Sequence, residues 1–202
     1  MKADEHFWWT TLLRGFIALT AGSLIIVIPD MARTLLLLPM AMVIAVLGLA
    51  VYGILDSVLV FVTSYMTASR PSQIALRFQG IAGIMVGILF IGMFSDFVQL
   101  SWFLILIAFQ SLIAAIAEFL VARHSKAPST SHWNFAAAGV AFVFSCVYFY
   151  ILFGRASQMV PHDISWLIFG YLLAFGIAQC LTAARMLYAD QQAGPATHSM
   201  QA

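Results

Sequence analysis

Apolar and polar positions along the chain divide it into six long apolar stretches separated by short polar breaks. The stretches cover about residues 8–28, 34–64, 74–94, 100–122, 133–153 and 164–187. A helix needs ~20 mostly apolar residues to cross the hydrocarbon core of a bilayer, so each stretch predicts one transmembrane helix. The second is longer than a single span requires, which predicts a tilt, a kink at Pro39 or an interfacial first turn. The breaks alternate in character. Those after the first, third and fifth stretches are turns at 29–33, 95–96 and 154–163, and those after the second and fourth are polar linkers at 67–72 and 123–131. The expected fold is therefore an all-α integral membrane protein forming one membrane domain over residues 1–202, with a polar C-terminal tail at 189–202.

Composition sharpens this picture. Charged residues are 8% of the chain and apolar residues 63%, against about 25% and 45–50% in soluble domains. Lipid is the solvent such a chain suits, and a net charge of +1 gives no reason to expect a nucleic-acid partner. Cys146 and Cys180 both fall inside apolar stretches and read as small packing residues. Lys2 before an apolar run is also how a cleaved leader begins. Asp4 and Glu5 beside it, and Arg14 within the run, point instead to a retained first span.

The charge distribution predicts orientation. One side collects Lys2, Arg70, Arg77, Arg123, Lys126 and Arg185; the other has Arg33 and Arg155, set against Asp30, Asp96 and Asp163. Basic residues in short loops stay on the cytoplasmic side, so both termini are expected in the cytoplasm. Trp8, Trp9, Trp102, Trp133 and Trp166 lie near stretch ends, as an interfacial aromatic belt would place them.

A period of about sixty residues emerges when glycines are aligned. Gly15 and Gly22 in the first stretch match Gly80 and Gly87 in the third, and Gly139 and Cys146 in the fifth, each pair seven residues apart on one helix face. Gly83 and Ala18 extend these small-residue stripes, the kind along which helices associate in lipid. The even stretches carry a second match: Gly53 to Asp56, Ala115 to Glu118 and Gly176 to Gln179 each read small, apolar, apolar, polar. The chain thus reads as three tandem helical hairpins, at about 7–66, 74–124 and 132–188, that enter the membrane in the same sense. A pseudo-threefold arrangement about the membrane normal is an available packing. Gly15, Gly22, Gly53, Gly80, Gly83, Gly87, Gly139 and Gly176 are the expected helix-packing positions.

Trp8-Trp9 followed by Leu12-Leu13-Arg14-Gly15, then Gly22 and Pro29, together with Tyr52-Gly53-Ile54-Leu55-Asp56, resembles the HdeD family of acid-resistance membrane proteins. The resemblance covers nearly the whole chain. The third unit departs from it, with Ala138 where the first unit has Arg14 and Gln179 where it has Asp56. The resemblance implies a small bacterial inner-membrane protein connected with acid stress and without catalytic chemistry. It supplies no mechanism.

Arg14, Asp56 and Glu118 are ionisable residues within apolar stretches. Each would cost roughly 2.5–3.5 kcal/mol at mid-span, so they are expected to face inward and pair. Arg14 and Asp56 lie at a similar depth from the same membrane face, and antiparallel neighbours would bring them together. A pairing of Arg14 with Glu118 across units is the alternative. Gln79 and Glu118 hold the corresponding places in the second unit, with Arg77 and Arg123 expected nearby. The expected buried polar core is thus Arg14, Asp56, Gln79, Glu118 and Gln179. Its leading reading is a set of staples between helices; binding of a proton or small solute is the second.

His6, His124, His132, His162 and His198 lie at stretch ends or in tails and form no metal-binding spacing. His162-Asp163 would face outward and is at most a candidate pH sensor. The proline and charge pair at Pro29 to Arg33 suggests a mitochondrial carrier, but the spacing is wrong and the other units lack it. With no nucleophile and base arrangement and no phosphate-binding loop, neither an enzyme nor a cofactor is expected. Three readings follow: a structural or stress-response membrane protein, an accessory subunit of a larger membrane complex or a homo-oligomer, and a transporter using the polar core.

Overall fold

A computed structural model describes residues 8–34, 38–67, 69–92, 100–124, 128–154 and 161–198, and side chains within 8–27, 46–67, 69–92, 102–124, 131–154 and 163–188. Six helices occupy these residues: α1 (Trp8–Thr34), α2 (Leu38–Met66), α3 (Arg70–Gly92), α4 (Leu100–His124), α5 (Pro128–Gly154) and α6 (Pro161–His198). The apolar part of each is 20 to 26 residues long. At 1.5 Å per residue that is at least the ~30 Å of a bilayer core. The protein is all-α, with six helices long and apolar enough to cross a membrane, and its exposed apolar faces are compatible with lipid contact.

Helix boundaries differ from the sequence expectation at several ends: α3, α5 and α6 begin before the expected 74, 133 and 164, whereas α2 begins at Leu38, after the expected 34. Four helices begin with proline at their first or second residue: Pro39, Pro71, Pro128 and Pro161. There its missing N–H would have had no intrahelical acceptor, and its fixed φ suits the first turn. The linkers expected at 67–72 and 123–131 are accordingly shorter, and the turn at 154–163 ends inside α6. The turn expected at 29–33 is the last part of α1. The tail expected at 189–202 is helical as far as His198.

The helices form a closed ring. Each packs against its neighbours in the chain, and α6 returns to pack against α1. The pairs α2/α3, α4/α5 and α6/α1 are the most intimate. Buried positions recur at the same spacing on the odd helices. They are Thr11, Arg14, Gly15, Ala18, Gly22 and Ile25 on α1; Leu76, Gln79, Gly80, Gly83, Gly87 and Phe90 on α3; and Asn134, Ala137, Ala138, Ala141, Ser145 and Tyr148 on α5.

Small residues set how closely the intimate pairs approach. A Cβ on Gly15 would come within 2.6 Å of Cys180 Sγ and 2.9 Å of the Gly176 carbonyl oxygen, and one on Gly22 within 3.2 Å of Leu172 Cβ. A Cβ on Gly176 would meet Leu19 at 2.9 Å from the other side. On α3, one on Gly80 would lie 2.9 Å from the Ser57 carbonyl oxygen, one on Gly83 would collide with the Ser57 hydroxyl, and one on Gly87 would lie 2.5 Å from Ile54 Cγ1.

Two glycines behave otherwise. Gly139 is exposed, and a Cβ added there would meet nothing within 4 Å, because the face of α5 that meets α4 is made of Ala137, Ala138, Ala141 and Ser145. Ser145 donates to the Ala108 carbonyl oxygen at 3.0 Å across that contact. Gly53 also has nothing within 4 Å and borders a cavity. Gly139 and Gly53 are therefore not close-crossing positions.

The two halves of the interior differ in polarity. Toward the face where α1 begins and α6 ends, the buried side chains include Thr10, Thr11, Ser64, Ser72, Asn134 and Thr182. Toward the opposite face they are mainly apolar, with Ile25, Leu49, Leu104, Ile151 and Ile168 among them, and Phe90 and Phe103 with ring centroids 5.2 Å apart.

Gly87→Ala is expected to lose stability by about 1–3 kcal/mol, the usual cost of overpacking. Gly139→Ala, which adds its methyl to open space, is expected to stay within about 0.5 kcal/mol of the parent. Unfolding of the purified variants in mixed micelles checks both; an equal effect of the two would contradict the contacts described.

Candidate functional site

Four helices contribute to one buried polar network. Arg14 of α1 donates from Nε to Asp56 Oδ1 of α2 at 2.8 Å and from Nη1 to Glu118 Oε1 of α4 at 2.9 Å. Gln179 of α6 donates from Nε2 to the same Glu118 oxygen at 2.9 Å. Arg14 is 4% exposed, Asp56 7%, Glu118 3% and Gln179 1%. Both pairings open to Arg14 on sequence grounds are therefore made at once, one within a chain-adjacent pair of helices and one across the ring.

Arg14 is suited to this position. Its guanidinium presents donors in a rigid planar fork, so a single side chain can address two carboxylates in different directions. Its Cζ also stands 5.8 Å from the centroid of the Phe175 ring, a distance at which a ring face attracts a cation. Arg14 Nη2 is buried and meets no acceptor among the described residues.

Gln79 lies outside the network. It is fully buried on α3, with its Oε1 meeting no donor among the described residues. Arg77 and Arg123, expected near Glu118, are both exposed, and Arg77 stacks on Tyr65 instead. The reason is helical geometry: residues two from Gln79 and five from Glu118 point away from the face that carries those side chains.

A cavity of about 50 Å³ lies on the apolar side of the network, bordered by Tyr52, Gly53, Gly83, Gly87, Ser111 and Tyr171 among others. Tyr52 is one turn from Asp56, and Ser111 and Tyr171 are about two turns from Glu118 and Gln179. Sequence reasoning missed these neighbours, although their spacing places them on the faces that carry the charged residues. Sites for organic ligands occupy about 300–1,000 Å³, so this space suits at most a few water-sized molecules. Among the described residues no group of three His, Cys, Asp or Glu side chains is arranged to hold a metal ion.

The fold and the site together define an all-helical protein whose six apolar helices enclose a buried ionic network. No protein-family model matches the chain, and no curated protein or solved structure matches it significantly.

Removing one member of a buried ion pair typically costs about 3–5 kcal/mol. Arg14→Ala is expected to be the most damaging single change, because it leaves two neighbouring buried carboxylates without their cation. Asp56→Ala leaves Arg14 paired with Glu118 and is expected to cost less. In the Arg14→Ala background, Asp56→Ala is expected to cost far less than it does alone. Unfolding free energies from a double-mutant cycle measure this, and additive losses would rule out the coupling.

Proposed function

We propose that the chain is a non-catalytic, multi-pass protein of the HdeD type, built from three tandem helical hairpins around a pseudo-threefold axis, whose role in a bacterial inner membrane is structural or stress-protective. The observation that carries the architectural part is the convergence of Asp56, Glu118 and Gln179. These residues hold the matching place in the three hairpins; Asp56 and Glu118 meet through the single guanidinium of Arg14, and Gln179 joins them by donating to Glu118. A rotation axis through the ring would bring equivalent positions together in this way.

Two further observations support it. The same offsets relate the buried positions of the odd helices, 65 residues from α1 to α3 and 123 from α1 to α5. The offset of 123 also relates Leu49, Asp56 and Val60 of α2 to Leu172, Gln179 and Ala183 of α6. In addition, each odd helix makes its closest approach to the even helix of the preceding hairpin, α3 on α2, α5 on α4 and, around the ring, α1 on α6. In this register the third-unit counterpart of Gly15 and Gly80 is Ala138, one residue before Gly139.

The connection to acid stress rests on the motifs at Trp8 to Gly15 and Tyr52 to Asp56. A transporter would use the same network, but the apolar half of the interior is closed by Ile25, Leu49, Phe90, Phe103 and Ile168. A continuous polar path is what transport needs, and that packing favours the structural reading.

Orientation follows from the exposed arginines. Arg70, Arg77, Arg123 and Arg185 sit toward the face where α1 begins, while Asp163 marks the other. By the positive-inside rule this supports a cytoplasmic location for both termini. Arg123→Cys should be labelled by a membrane-impermeant thiol reagent only after the cells are opened, and Asp163→Cys in intact cells; the reverse pattern would invert the topology. For the stress role, cells lacking the protein should lose survival after acid challenge and regain it with the parent chain but not with Arg14→Ala. Unchanged survival without the protein would remove that role.

A further inference from the structure

The outward face of α3 is basic near its start and apolar beyond. Arg70, Ile74, Arg77, Phe78, Ile81, Met85 and Ile88 follow one another at helical spacing, and all are exposed. Arg70 opens the helix, and Arg77 lies two turns further in, about 10 Å along the axis at 1.5 Å per residue.

Arg77 does not extend into the apolar zone. Its Cζ stands 4.8 Å from the centroid of the Tyr65 ring, and Tyr65 is in the last turn of α2. The guanidinium is therefore drawn back toward the polar end of the bundle, with its aliphatic stem along the apolar face. Tyr65 is itself braced edge-on by Phe61, with ring centroids 5.3 Å apart. Both ion pairs among the described residues belong to Arg14, so neither Arg70 nor Arg77 has a carboxylate partner among them.

We propose that this face binds one anionic phospholipid, its headgroup phosphate held by Arg70 and Arg77 and an acyl chain laid along Phe78, Ile81 and Met85. Charge complementarity selects the occupant. Two guanidiniums without carboxylate partners among the described residues present forked donors that match phosphate oxygens, and an unbroken apolar stripe continues from them into the depth where acyl chains lie. A general preference for basic residues at a cytoplasmic face is already met by Arg123 and Arg185. Arg77 differs from them in being set two turns into the span and oriented by an aromatic ring.

The test uses the full chain purified in a neutral detergent, with bound lipid counted by native mass spectrometry against added phosphatidylglycerol or phosphatidylcholine. The parent chain should retain phosphatidylglycerol in preference to phosphatidylcholine, and inorganic phosphate should not displace it. Arg70→Gln/Arg77→Gln should weaken phosphatidylglycerol binding by about tenfold or more, since each basic residue near an anionic headgroup is worth about 1 kcal/mol, whereas Arg123→Gln should leave it unchanged. Equal retention of the two lipids, displacement by inorganic phosphate, or undiminished binding by the double variant would each overturn the proposal. Both arginines are exposed, so the variant should fold, which its helical circular dichroism checks. If it does not accumulate, Arg77→Gln alone is read in the same way, and the preference of the parent chain between the two lipids decides without any variant.

Discussion

A guanidinium in the interior of an apolar bundle cannot be left to water, and the arrangement around Arg14 follows from that constraint. Its charge needs acceptors at the depth where it sits, and no single neighbouring helix supplies enough of them. Asp56 comes from the next helix in the chain and Glu118 from the fourth, so both α2 and α4 must present their polar face to α1. Gln179 then ties the sixth helix to Glu118. Satisfying one cation in this way fixes the relative rotation of four helices and requires the ring to close.

The chemical difference between Asp56, Glu118 and Gln179 has an electrostatic reason. Carboxylates at all three of these positions would set three negative charges in a network with one guanidinium, and like charges this close disfavour one another strongly. An amide on α6 removes one charge and adds a donor, which Gln179 directs at Glu118. On the odd helices the same reasoning runs the other way. A guanidinium at Arg14 suffices, and the buried residues 65 and 123 positions further along, on α3 and α5, are the neutral Gln79 and Ala137. On the proposed threefold reading, departures from the repeat are what a shared axis would demand, since equivalent side chains that meet there cannot all carry the same charge.

Much of this is legible in the sequence, for reasons that can be named. Six apolar stretches are set by bilayer thickness, and ionisable residues inside them must be partnered, so depth alone brings Arg14 and Asp56 together. Closure of the ring is not local information, which is why the sequence offers Glu118 as an alternative to Asp56 when both are engaged. Glycine is an incomplete marker of close approach. Ala138 and Ser145 serve on α5 where Gly15 and Gly22 serve on α1, so an alignment on glycine alone lands on Gly139, one residue away and a third of a turn around the helix. Gly53 lies on the right face but beside a cavity, a distinction that depends on the opposing side chains. Helices α3, α5 and α6 start earlier than the polar breaks suggest, because proline, a breaker inside a helix, opens them at Pro71, Pro128 and Pro161.

The position of the network along the bundle bears on what kind of protein this is. Polar side chains fill the interior mainly on the side of Arg14 toward the face where α1 begins; beyond it, past a few groups such as Ser111 and Ser145, isoleucine, leucine and phenylalanine interlock. A transported ion or solute would have to part that packing, and interiors at close-packed density do not open by small adjustments. The 50 Å³ beside Tyr52 and Tyr171 provides no route past it. A staple makes the opposite demand, that the charged groups be shielded from solvent and held by several helices at once, so that losing any one contact is resisted by the others. The interlocked half supplies the shielding and the four contributing helices supply the hold. This division of the interior favours the proposed reading, in which the ionic network is a tie between the four helices that contribute to it, over a station on a path.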